Sequence, residues 1–135
     1  MQLITVQSNI QAPLQKVWEY FTNPLHIVNW NFAMSEWHCP SATNHLEVGG
    51  EFHYTMAAKD NSMSFDFWGT YQKIEKEKHI EILLGDGRIM RVVFEEGTAG
   101  TILTEQFEPE KVNPSEMQQA GWQMILDNFK SYVEQ

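Results

Sequence analysis

The sequence predicts an α+β fold, an antiparallel sheet crossed by one long C-terminal helix. Three observations carry that reading. Trp122, Ile125, Leu126, Phe129 and Val133 fall at i, i+3, i+4, i+7 and i+11, one wide apolar stripe on a helix beginning after Pro114. From Gly50 to Phe107 the apolar period is two, interrupted by turn-forming clusters, so successive hairpins build the sheet. Asn23-Pro24 divides an early helical segment into two short pieces. A long helix laid on a curved sheet often encloses a cavity.

Leu3 to Ile10 alternates as a strand, with Ile4, Val6, Ser8 and Ile10 on one face. Pro13 opens a helix at its favoured first turn. Val17, Trp18, Phe21 and Leu25 continue at helical spacing, and a second short helix runs through His26, Ile27 and Val28 to Trp30. A short strand is expected near Glu36 to Cys39, followed by a loop. Phe52, Tyr54 and Met56 then alternate with polar residues up to a turn at Lys59-Asp60-Asn61. Pairing Met56 with Met63 sets Tyr54 opposite Phe65, Phe52 opposite Phe67 and Gly50 opposite Gly69, an aromatic face throughout.

The next hairpin turns at Gly85-Asp86-Gly87. A three-residue turn sets Ile82 against Met90, Ile80 against Val92 and Glu81 against Arg91; a one-residue slip would send every side chain to the wrong face. The last hairpin, at Gly97-Thr98-Ala99-Gly100, sets Phe94 against Leu103, Met90 against Phe107 and Val92 against Glu105. Glu105 is therefore expected on the apolar inner face. Ser115 and Gln118 are spaced as a capping box for the final helix. Gly121, beside Trp122, costs helix stability and is expected to allow a close approach to the backbone.

The chain has 135 residues, 42% of them hydrophobic and 13% aromatic, enough for one domain over residues 1–135 with a real core. Its 18 acidic and 9 basic residues give a net charge of −9. That charge disfavours nucleic acid and anionic lipid as partners. No apolar run reaches membrane-span length and the first residues do not form a signal peptide, so a cytoplasmic location without membrane insertion is expected. The single cysteine, Cys39, forms no internal disulfide.

Little conventional catalytic chemistry is encoded. His26, His38, His45, His53 and His79 have no partners at zinc-ligand spacing, and no metal or cofactor is expected. The serines lack a nucleophile-elbow context, and the paired glycines are turn residues without phosphate-loop spacing. Glu105 stands out. It is read either as a carboxyl in an apolar cavity, orienting a ligand or moving a proton, or as a side chain reaching the rim to bond Tyr54, Tyr71 or water. Tyr54 and Tyr71 point inward with hydroxyls that need partners. Trp68 points to the outer face near His53, Asp66 and Thr70. There it marks a protein-partner or homodimer surface, unless a bulge or loop covers it.

Several segments together resemble a known superfamily. They are APLQKVWEYFTNPLHIVNW, VGGEFHYTM, FDFWGTYQKI, GDGRIMRVVF, GTILTEQF and GWQMILDNFKSYVE, in this order over almost the whole chain. The chain resembles the START-like, or Bet v allergen-like (SRPBCC), helix-grip superfamily. Within it, the chain is most similar to bacterial relatives of the heat-shock-protein-90 ATPase activator homologues. The resemblance implies a curved antiparallel sheet of six to seven strands gripping the C-terminal helix, with two short helices after the first strand and a cavity between sheet and helix. Members of the superfamily bind lipids, sterols, polyketides and hormones; some are cyclases or dehydratases, and others are co-chaperones. The eukaryotic activators carry a further N-terminal domain, whereas this chain opens on its first strand.

The first expectation is binding of a hydrophobic or amphipathic small molecule, without catalysis. Its lining comprises Tyr54, Phe65, Phe67, Tyr71, Val92, Phe94, Leu103 and Glu105 from the sheet, and Trp122, Ile125 and Phe129 from the helix, with Trp30 near the mouth. The second is a cyclase or dehydratase acting on an aromatic or polyketide-like substrate, with Glu105 as general acid or base. The third is a chaperone-associated or stress-response interaction module using the surface around Trp68.

Overall fold

Alternation settles the first strand. The computed structural model describes residues 3–135. In β1 (Ile4–Ile10), Ile4, Val6, Ser8 and Ile10 are buried and the residues between them exposed. Pro13 leads into α1 (Leu14–Thr22), and Asn23 separates it from α2 (Pro24–Ile27). The Asn23 side chain accepts a hydrogen bond from the Leu25 N–H at 2.9 Å and so caps α2. This break resets the helical phase. Leu25, expected to prolong the α1 stripe, is instead 78% exposed.

Five hairpins follow from β2 (Trp37–Asn44), β3 (Glu51–Ala58), β4 (Ser64–Glu75), β5 (His79–Leu84), β6 (Ile89–Gly97) and β7 (Gly100–Phe107). The seven strands form one curled antiparallel sheet in the order β1-β7-β6-β5-β4-β3-β2. β2 is longer than the short strand expected at Glu36 to Cys39. Its register shifts between His38 and Ser41, so Pro40, which has no N–H to donate, is absorbed in a bulge on an edge strand.

The β5–β6 and β6–β7 registers match the sequence reading: Ile82 faces Met90, Glu81 faces Arg91, Val92 faces Glu105 and Phe94 faces Leu103. The β3–β4 hairpin differs by two residues. Tyr54 faces Phe67, Met56 faces Phe65 and Phe52 faces Gly69. Its turn is longer than expected, closed by the Ala58 N–H on the Met63 carbonyl at 2.9 Å, with Asn61 at φ 66°. An even displacement leaves every side chain on its expected face.

α3 (Ser115–Val133) buries Leu126, Phe129 and Val133 against the sheet. It also covers the free edge of β1. The carbonyls of Thr5, Gln7 and Asn9 accept from Gln119 Nε2 at 3.0 Å, Gln123 Nε2 at 3.2 Å and Lys130 Nζ at 2.7 Å. Two strand residues and one helical turn advance by similar lengths, which matches Gln119 and Gln123 to Thr5 and Gln7; Lys130, two turns further on, reaches Asn9 with its longer side chain. The expected capping box does not form: no side chain caps α3. The buried Gln118 amide instead holds the preceding loop. It accepts from the Glu110 N–H at 2.9 Å and donates to the carbonyls of Glu110 at 3.0 Å and Asn113 at 2.8 Å. Gly121 faces open space, not a close neighbour; a Cβ there would meet nothing within 4 Å.

Candidate functional site

The sheet's inner face does not pack solidly onto α3 along its whole length. At one end, α1 supplies the filling. Trp18 lies edge-on to Phe94 with ring centroids 5.0 Å apart, and Phe21 meets Phe94 at 5.6 Å and Phe129 at 5.5 Å. Beyond this plug the interior opens into a cavity of about 250 Å³. Its walls come from Phe52, Tyr54 and Met56 of β3, Phe65, Phe67 and Tyr71 of β4, and Ile80 and Ile82 of β5. Arg88, Met90, Glu105, Trp122 and Ile125 continue them, and Phe21, Thr22, Trp30 and Asn31 complete the lining.

Eight of the twelve residues expected to line a pocket do so: Trp30, Tyr54, Phe65, Phe67, Tyr71, Glu105, Trp122 and Ile125. Val92, Phe94, Leu103 and Phe129 do not. They are solid core, no more than 3% exposed, and the α1 aromatics pack on Phe94 and Phe129. Trp30 is not at the mouth. It is 4% exposed, donates from Nε1 to the Tyr20 carbonyl at 3.0 Å and lies edge-on to Phe129. Phe65, 48% exposed, marks the opening instead. Phe52 and Met56 were legible as inward-facing strand residues, yet their place in the lining was not. Thr22, Asn31 and Arg88 reach it through tertiary packing that leaves no local pattern.

Glu105 is the unusual group. It is 7% exposed, lines the cavity and makes no hydrogen bond with any described residue. Burial alone pushes its carboxyl up to about 8, so it carries its proton at neutral pH. The expected bond to a tyrosine is not made. Tyr71 instead donates to Asn44 Oδ1 at 2.6 Å, and burial raises its hydroxyl to about 12. Burial, with Tyr71 beside it, holds the Tyr54 hydroxyl well above the usual range. Thr22 spends its hydroxyl proton on the Trp18 carbonyl at 2.8 Å.

Other candidate features sit elsewhere. Trp68 is half-buried on the outer face, stacked on His53 with an interplanar angle of 6°. Its indole also lies over Gly85, where a Cβ would come within 2.3 Å of the ring. His53 bonds Asp66 at 2.7 Å and Glu51 at 2.9 Å, which raise its imidazole above the ordinary value. The buried Cys39 thiol lies near Asn31 and Ser41, and desolvation raises it. Among the described residues no group of three or more His, Cys, Asp or Glu side chains is placed to hold a metal ion. No described helix is long and apolar enough to cross a membrane.

The family model described as "Activator of Hsp90 ATPase homolog 1-like protein" matches residues 11–134. The chain belongs to this family. Among solved structures, it is similar to the AHSA1-like protein from Aeromonas hydrophila, at 41% identity and a TM-score of 0.93, over 98% of this chain and 92% of that one. A protein from Cytophaga hutchinsonii shares 50% identity with a TM-score of 0.85, over 97% of this chain and 91% of that one. A protein from Chromobacterium violaceum, at 21% identity and a TM-score of 0.88 over 100% of this chain and 99% of that one, shares the fold. The search of curated proteins gave no match. The family membership accounts for the helix-grip architecture; the cavity and its buried carboxyl are read from this chain.

Proposed function

We propose that this protein binds a small amphipathic molecule in the cavity between sheet and α3. One observation carries the reading: an apolar void of about 250 Å³ contains a buried carboxyl, Glu105, that no described residue bonds. A buried polar group without a partner is costly, and a ligand atom that supplies the missing bond recovers that cost. Phe52, Phe67, Trp122 and Ile125 offer apolar surface, worth about 25 cal/mol per Å² covered. Native mass spectrometry of protein purified from its own host tests this. A retained non-covalent mass, lost on mild activation, is the expected result. Bare protein that also takes up no member of a small-molecule panel would refute the reading.

The same carboxyl supports a second reading. A group poised near neutrality beside an apolar void suits general acid–base work, as in a cyclase or dehydratase. Glu105→Gln would then abolish turnover of a bound substrate while leaving binding nearly intact. Lost binding with no turnover in the wild type would rule this out. A chaperone-associated role, suggested by the family's description, draws less support from Trp68, whose ring is already engaged by His53 and Gly85.

A further inference from the structure

The cavity's polar groups include a carboxyl and three hydroxyls, two of which have given their protons to the protein. Tyr71 has committed its hydroxyl proton to Asn44 Oδ1, and Thr22 has committed its own to the Trp18 carbonyl. Both retain oxygen lone pairs. Glu105, once ionised, is a pure acceptor. Its cross-strand neighbours are Val6 and Val92, so no cation of the protein stands beside it in the sheet. The one basic residue in the lining, Arg88, is held at the β5–β6 turn. There Asp86 Oδ2 accepts from its Nε at 2.8 Å and the Glu108 carbonyl from its Nη1 at 3.1 Å. The walls are largely π faces, among them Phe52, Phe67 and Trp122, which attract cations as well as apolar groups. A net charge of −9 draws cations toward the whole molecule.

From these observations we propose that the cavity takes an organic amine, with its ammonium on the Glu105 carboxyl and an aromatic or short alkyl body against Phe52, Phe67 and Trp122. An ammonium offers three donors, which the Glu105 carboxylate and the lone pairs of Tyr71 and Thr22 can accept. A carboxylate or phosphate would be repelled by an ionised Glu105, and Arg88, the basic residue of the lining, is already paired with Asp86. The volume corresponds to about eight water molecules at roughly 30 Å³ each, room for one ring with a short chain. This inference rests on the small-molecule reading above and narrows it to a chemical class.

Binding in this mode exchanges one charge for another. The ammonium enters, and Glu105 releases its proton to solvent. The groups around Glu105 do not compete for that role. Tyr54 and Tyr71 from β3 and β4 titrate far above neutrality, Cys39 of β2 is buried and raised, α1 presents Phe21 and Thr22, and α3 presents Trp122 and Ile125. Arg88 is the one permanent cation in the lining, and Asp86 already meets it.

Three probes of nearly one shape test the class: phenylpropylamine, phenylpropanol and phenylpropanoate. Each is titrated into the wild type and into Glu105→Gln, with affinity from calorimetry and location from the indole NMR signals of Trp122 and Trp30. The amine is expected to bind the wild type about tenfold or more tightly than the alcohol, as a charge-assisted contact should, with the acid weakest. Its binding heat at neutral pH should vary with the buffer's ionisation enthalpy, reporting a proton released. In Glu105→Gln the amine should lose its advantage while the alcohol is unaffected. Alcohol or acid binding as tightly as the amine would overturn the proposed class and leave the cavity reading standing. If no probe shifts either indole at millimolar concentration, both fall. The wild-type ranking decides the matter even if the variant is poorly folded.

Discussion

Glu105 stands directly opposite Val92 across the β6–β7 ladder, and its other cross-strand neighbour, on β1, is Val6. Both valines are buried, at 0% and 2% exposed. A carboxyl between two valines, with no described residue donating to it, is poorly placed to hold a charge, and burial raises it from 4.5 to about 8. The stability consequence has a definite sign. Well below pH 4.5 the group is protonated in both folded and unfolded chains and adds no pH dependence. Between 4.5 and about 8 the unfolded chain gives up this proton and the folded chain keeps it, so stability falls as pH rises. At about 1.36 kcal/mol per pH unit the loss is of the order of 5 kcal/mol by pH 9. Glu105→Gln should remove this slope. Urea unfolding at pH 5 and pH 9 should show the variant gaining several kcal/mol on the wild type only at the higher pH. Equal gains at both would show that the carboxyl is not the cause.

The outer face offers a separate test. The Gly85 N–H donates to the Trp68 carbonyl at 3.0 Å, and the Trp68 indole covers the space a side chain at position 85 would need. Gly85→Ala should cost about 1–3 kcal/mol, the range for forcing extra volume into a packed contact. In a Trp68→Ala background the same change should cost much less. A double-mutant cycle read by denaturant unfolding measures the coupling. Additive effects would mean that the indole does not occupy that space.

The start of α3 separates a sequence pattern from the bonds actually made. Ser115 caps nothing, whereas the buried Gln118 amide makes three hydrogen bonds to the loop before the helix. Gln118→Ala should lower stability by about 1–3 kcal/mol through the groups it leaves unpaired, and Ser115→Ala should change it by less than about 0.5 kcal/mol. The reverse order in thermal unfolding would restore the capping box.

Where the sequence was informative, the reason is local. Gly85-Asp86-Gly87 admits few turn geometries, and only one of them puts Ile80 and Ile82 on the face of Met90 and Val92, so that register was readable. Glu105 was conspicuous for the same reason: it breaks an otherwise apolar alternation. The β3–β4 turn lacks such glycines, so its length was open and the pairing was misplaced by two. Pro40 hid the extent of β2, because only a bulge on an edge strand accommodates it. Val92, Phe94, Leu103 and Phe129, expected in the lining and found in solid core, show the limit clearly. Strand alternation says which face a residue is on. It does not say how far Trp18 and Phe21, from a distant part of the chain, will fill the groove above it.

Gly121 gives the last test, and it runs toward greater stability. The residue is inside α3, six residues after Ser115, with helical neighbours on both sides. Its φ is not among the positive values, and a Cβ there would meet nothing within 4 Å. Glycine therefore brings only its entropic cost, about 0.8–1 kcal/mol relative to alanine inside a helix. Gly121→Ala should raise stability by about that amount. Because the added methyl touches no lining atom, it should also leave probe binding in the cavity unchanged. A destabilised variant would mean that the space beside Gly121 is needed by something that closes over α3, and weakened probe binding would place that space on the ligand's route.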